Sequence, residues 1–213
     1  MKFNGPVRPT WKEGTILLNR VQNICLFPVS KNANTSLRYV LGTGLYTQYH
    51  KEDISDMIKL AVVRDPADRI ISSYLEILKL RQDQHRDYTV SLPFYKIAGT
   101  EERFRQFLVD IYDNIYDTHL LPQVYQIFRP SHVDYWILFD NYLKDLMGFI
   151  KKYGIRTHHD PIVNINKTSQ QVLQASLRKL LEEDKELREH IRYEMYPEDT
   201  ELYKKIKHEN KNI

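Results

Sequence analysis

A single cysteine, Cys25, in a chain of 213 residues excludes a disulfide framework and any zinc site built on several thiolates. It stands inside an apolar run, where a small buried core residue is the expected role. No apolar stretch reaches the length of about 18 residues that a membrane-spanning helix needs. Met1–Thr10 lacks the order of a secretory leader, which points to a cytoplasmic protein. The net charge of +3 is far from the one-sided charge of a nucleic-acid binder and suits a protein with one or two anion sites. Glycine is also scarce, and none falls within Leu26–Leu41. That stretch, LFPVSKNANTSLRYVL, otherwise has the outline of a phosphate-binding loop.

What is present reads as strands alternating with helices. NICLFPVS (Asn23–Ser30), IKLAVV (Ile58–Val63) and VDYWILF (Val133–Phe139) are short apolar runs and are expected as buried strands. LYTQYH (Leu45–His50) alternates and is expected to lie beside the strand that feeds Lys31. TSLRYVLG predicts a short helix closed by Gly42. DPADRIISSYLEILKL predicts a helix with Asp65 as N-cap, Pro66 in the first turn, and Ile70, Ile71, Tyr74, Ile77 and Leu78 on one face. EERFRQFLVDIY is amphipathic. DNYLKDLMGFIKKYG predicts a helix from Asp140 as N-cap to Gly154 as stop. Thr168 and Gln171 offer a capping box to a helical tail over 168–207. Residues 81–99 have little period and are expected as an insertion or surface loop. Its Arg81, His85, Arg86, Tyr88, Phe94 and Tyr95 would suit a sugar. The whole reads as a single domain over 1–213, an α/β three-layer fold with a central parallel sheet flanked by helices.

Ligands of open parallel sheets bind beyond the carboxyl ends of the strands. Lys31 follows the first strand there, and Thr35 and Ser36 sit where the next helix begins, with its unpaired N–H groups and positive dipole end. Glycine normally supplies the positive φ of such a turn. Asn32 and Asn34 are the next-best residues for left-handed backbone, and Ala33 is small. The Walker order G-x-x-x-x-G-K-[ST] is absent, because Lys31 precedes Thr35 by four positions. Farther on, VVRDPADRIISSY ends a strand on Arg64 and places Ser72 about two turns into the next helix. The two side chains can face one phosphate.

PVSKNANTS and VVRDPADRIISSY together resemble the sulfotransferases that use 3′-phosphoadenosine 5′-phosphosulfate (PAPS), in their carbohydrate branch. There a PK-x-x-x-TS loop binds the 5′-phosphosulfate; here Val29 and Ser30 separate Pro28 from Lys31. An Arg and a Ser eight apart bind the 3′-phosphate, as Arg64 and Ser72 stand here. DTHLLPQ (Asp117–Gln123) and YPEDTELY (Tyr196–Tyr203) are also similar to that branch.

The resemblance implies that Lys31, Asn32, Ala33, Asn34, Thr35 and Ser36 form the 5′-site and that Lys31 neutralises the leaving oxygens. NINKTS, with Asn166, Lys167 and Ser169, would close over the nucleotide. His50 occupies the place of the general base, Glu52 is the nearest carboxylate substitute, and His119 is the rival. The acceptor implied is a hydroxyl, in a saccharide, and the product left behind is 3′,5′-adenosine bisphosphate. No metal is required; the HHD run at His158–Asp160 reads as a loop. A nucleotide kinase is the first alternative, but it lacks the Walker order and a magnesium-holding carboxylate at a strand end. A non-enzymatic module binding the bisphosphate is the second; it would keep Arg64 and Ser72 without needing His50.

Overall fold

The structure, a computed structural model, describes residues 15–44, 46–48, 52–84, 93–114, 119–127, 130–161 and 171–210. His50, His85, Arg86, Tyr88, Asn166, Lys167, Thr168 and Ser169 lie outside the described residues. The elements in chain order are β1 (Thr15–Asn19), β2 (Ile24–Phe27), α1 (Asn34–Leu41), β3 (Tyr46–Gln48), β4 (Ile58–Val63), α2 (Pro66–Gln84), α3 (Thr100–Asn114), α4 (Gln123–Gln126), β5 (Tyr135–Leu138), α5 (Tyr142–Tyr153), α6 (Gln171–Glu183), α7 (Lys185–Glu189) and α8 (Pro197–Glu209). A six-residue π-helical turn, His190–Met195, joins α7 to α8. The fold is α/β, and the chain divides into two compact units.

One unit comprises 10–65, 121–167 and 198–213 and holds a five-stranded sheet in the order β3-β1-β2-β4-β5. β2 pairs in parallel with β4, and β4 with β5. β1 is antiparallel to both β2 and β3. The apolar runs carry no polar alternation because both faces of the sheet are covered. Leu26, Leu60, Val62 and Ile137 turn to one face, against Leu37 and Val40 of α1 and Leu146 and Phe149 of α5. Cys25, Phe27 and Ala61 turn to the other, as period-two geometry requires. There Val63 and Leu138 take Tyr203 and Ile206 of α8. Burial pushes the Cys25 thiol up to about 12, so it behaves as a small apolar side chain.

The other unit comprises 1–9, 66–120 and 168–197. Its core gathers Ile70, Ile71, Tyr74 and Ile77 of α2, Phe104 and Phe107 of α3, and Leu177 and Leu181 of α6. The helical face read from the sequence is therefore the core face of α2. Tyr74 meets Phe104 and Phe107 at ring-centroid distances of 5.2 and 4.9 Å, within the range where tilted aromatic pairs attract.

Several expectations are corrected. Within the stretch read as a loop over 81–99, α2 runs to Gln84 and a 3₁₀ turn at Pro93–Lys96 carries Phe94 fully into the core; 85–92 lie outside the described residues. β3 does not lie beside β2, because β1 pairs between them; being antiparallel to the same strand, β2 and β3 still finish at the same end of the sheet. Asp140 does not cap α5. It sits in a 3₁₀ turn, and its carboxylate accepts the Tyr203 hydroxyl at 2.6 Å, while Asn141 occupies the cap position. The stops at Gly42 and Gly154 are as read: both are left-handed, with φ of 59° and 64°. At Gly42 the His158 ring also fills the space a Cβ would need.

Candidate functional site

β2 ends at Phe27, and the chain reaches α1 through a tight loop in the sheet-bearing unit. Lys31 and Ala33 are the left-handed residues, with φ of 66° and 58°. This corrects the sequence reading, which gave that geometry to Asn32 and Asn34. Those side chains act as donors instead. Asn32 Nδ2 donates to the Val62 carbonyl at 2.7 Å and to Gln123 Oε1 at 2.5 Å. Asn34 Nδ2 donates to the Val29 carbonyl at 2.7 Å. Asn32 is fully buried, so its bonds fasten the loop to β4 from below. The amides offset the cost of left-handed backbone by holding it from outside rather than by adopting it.

Left-handed backbone at Lys31 and Ala33 brackets Asn32, whose own N–H closes a turn on the Val29 carbonyl at 3.1 Å, and leads the chain into α1. Its first bond runs from Leu37 N–H to the Ala33 carbonyl at 2.9 Å, and no side chain caps it. The N–H groups before Leu37 have no intrahelical acceptor and sit at the positive end of the dipole. Thr35 is exposed there and Ser36 nearly buried. Pro28–Gly42 contains no carboxylate.

Left-handed backbone costs an L-residue roughly 1–2 kcal/mol, and glycine's extra chain entropy takes back part of any relief. Ala33→Gly is therefore expected to stabilise the protein by about 0.5–1 kcal/mol. A melting temperature raised by about 1–4 °C checks this; an unchanged or lowered one rejects strain at Ala33.

Arg64 follows β4, the parallel neighbour of β2, so both segments leave the sheet side by side. The Arg64 residue is buried, at 3% exposure. Its guanidinium Nη1 donates to the Lys31 carbonyl at 3.1 Å, and its Cζ stands 4.1 Å from the centroid of the Phe139 ring. The Arg and the Lys picked out as separate motifs thus meet in one unit.

Two residues emerge that the sequence reading did not single out. Gln123, the last residue of DTHLLPQ, is fully buried. Its Oε1 accepts the Arg64 N–H at 3.0 Å, and its Nε2 donates to the Arg64 carbonyl at 2.8 Å. Asp199, in YPEDTELY, is also fully buried and accepts the N–H groups of Gln123 and Val124 at 2.8 and 3.0 Å. The available signal was that each polar residue stands inside a stretch similar to the family.

The other candidates are placed as follows. Ser72 is nearly buried on α2, in the helical unit. His119 lies in that unit as well. Its carbonyl accepts Arg69 Nη1 at 3.1 Å and the Ser73 hydroxyl at 2.7 Å. Beside it the Leu120 carbonyl accepts the Tyr196 hydroxyl at 2.9 Å. Glu52 forms an ion pair with Arg20. His159 stacks on Tyr39 at 3.5 Å while His158 packs against Gly42, so the HHD side chains part. Among the described residues no group of three or more His, Cys, Asp or Glu stands where it could hold a metal ion, and no helix is long and apolar enough to cross a membrane.

A family model described as "Sulfotransferase family" matches residues 10–205. No curated protein and no solved structure matches the chain.

Proposed function

The chain belongs to the sulfotransferase family, and from that premise we propose that it moves the sulfuryl group of PAPS to a hydroxyl of an acceptor, a saccharide by class. The observation that carries the donor is the loop at the end of β2, with two left-handed residues feeding an uncapped helix start. Its donor set fits the group: backbone N–H groups, two hydroxyls, an ammonium and a nearby guanidinium suit phosphate and sulfate oxygens, with no carboxylate in the loop to oppose them.

PAPS supplies a sulfuryl group on a phosphate leaving group, and the residues supply position and charge. Lys31 neutralises the leaving oxygens. Asn32, Ala33 and Asn34 hold the loop shape, and Thr35 and Ser36 with the loop amides bind the 5′-phosphate. Arg64 binds the 3′-phosphate, and the motif joins Ser72 to it. Asn166, Lys167 and Ser169 close over the nucleotide. His50 accepts the proton of the acceptor hydroxyl, with His119 as the alternative. Such transfer needs in-line geometry and charge stabilisation in a loose transition state.

The protein is expected to bind 3′,5′-adenosine bisphosphate more tightly than AMP. A charge-assisted hydrogen bond is worth about 1.5–3 kcal/mol, so the preference should be on the order of 10–100-fold. Titration calorimetry measures it. Equal affinity for AMP and the bisphosphate overturns the assignment of Arg64.

A further inference from the structure

We infer that Gln123 is a positioning residue of the transfer site, setting Arg64 and the phosphate loop in one register, with Asp199 holding Gln123 in turn. The inference rests on the donor reading above and names the groups that keep its cationic side chains aligned.

β4 and β5 pair through Val63 and Leu138, the last residues of both strands. Arg64 is one residue beyond. Its backbone N–H and carbonyl take their partners from the Gln123 carboxamide, which acts as one added rung of sheet. The amide orientation is fixed by chemistry: only oxygen can accept the Arg64 N–H, and only nitrogen can donate to the Arg64 carbonyl. The same oxygen takes Asn32 Nδ2. One carboxamide thus joins the Arg64 backbone to the floor of the loop, while the Arg64 guanidinium returns to the Lys31 carbonyl above it.

The ring Asn32–Gln123–Arg64–Lys31 closes through hydrogen bonds within one unit. Asp199 anchors it by accepting both N–H groups at the start of α4. Asp199 lies in the first turn of α8, whose Tyr203 and Ile206 pack on Val63 and Leu138. Four stretches distant in sequence, carrying Asn32, Arg64, Gln123 and Asp199, therefore meet in one network. None of these contacts requires Gln123 to touch the nucleotide.

Gln123→Glu keeps the shape and the acceptor but removes the donor, turning an oxygen toward the Arg64 carbonyl. The experiment is calorimetric titration with 3′,5′-adenosine bisphosphate of wild type, Gln123→Glu, Arg64→Ala and the double variant. Gln123→Glu is expected to weaken binding on the order of tenfold. If it acts through Arg64, the double variant should bind within about twofold of Arg64→Ala alone, because residues sharing a network are not additive. A general loss of packing would instead add to the Arg64 effect, and that result overturns the role.

Unchanged affinity in a folded Gln123→Glu protein overturns it as well. Should that variant fail to fold, Asp199→Asn reads the same link, keeping one acceptor oxygen. It is expected to weaken binding several-fold and to lose that effect in the Arg64→Ala background; full affinity or simple additivity rejects the inference. Wild type that binds no bisphosphate rejects the donor reading and this role together, an outcome distinct from wild type that binds while its variants bind equally well.

Discussion

Lys31→Ala is expected to lower kcat on the order of 10²–10³-fold while leaving the Kd of 3′,5′-adenosine bisphosphate within a few-fold of wild type. Negative charge on the leaving oxygens peaks in the transition state, so an ammonium placed there favours that state over bound product. The Lys31 backbone is fixed from both sides: left-handed, and with its carbonyl bonded to the Arg64 guanidinium. A substitution can therefore act through the charge or through the loop. Lys31→Gly separates the two, since glycine accepts the left-handed φ without strain. Loss of the ammonium predicts that the Ala and Gly variants are equally slow in single-turnover assays. Recovery of kcat in the Gly variant would assign the defect to the loop backbone rather than to the charge, and unaltered kcat in both would reject the role of Lys31.

His50→Ala should lower kcat on the order of 10²–10⁴-fold with bisphosphate affinity nearly unchanged, the loss typical of removing a general base. An imidazole accepts a proton only when neutral. β3 and β2 run in the same direction two strands apart, so Gln48 and Phe27 stand at the same end of the sheet. His119→Ala is the control. If the His119 variant collapses while the His50 variant keeps wild-type turnover, the base is His119, and the bonds that its carbonyl accepts from the Arg69 guanidinium and the Ser73 hydroxyl become its supports.

The sheet was legible where burial is two-sided. IKLAVV became β4 residue for residue, and NICLFPVS and VDYWILF contain β2 and β5. Helix ends were legible where one residue has a conformational privilege, as at Pro66, Gly42 and Gly154. β1 was not legible, because TILLN holds only three consecutive apolar residues and its strand identity comes from pairing with β2 and β3. Asp140 was misread because its partner is Tyr203, a tertiary contact that no local pattern announces.

The loop shows the same division. Its place after β2 and before α1 could be read from Lys31, Thr35 and Ser36. Which residues turn left-handed could not, because propensity favoured the asparagines and their side-chain bonds to Val62, Gln123 and Val29 overrode it. For Gln123 and Asp199 the sequence offered only their place in stretches similar to the family. Their work is done through backbone groups of segments far away in sequence.

The most direct measurement is transfer of label from ³⁵S-PAPS to a panel of glycans and small alcohols, with and without EDTA. The assignment predicts that label moves to a hydroxyl-bearing acceptor, with a saccharide preferred, at a rate chelation does not change. No transfer to any acceptor by protein that binds the bisphosphate, or activity that dies with EDTA and returns with Mg²⁺, would contradict it.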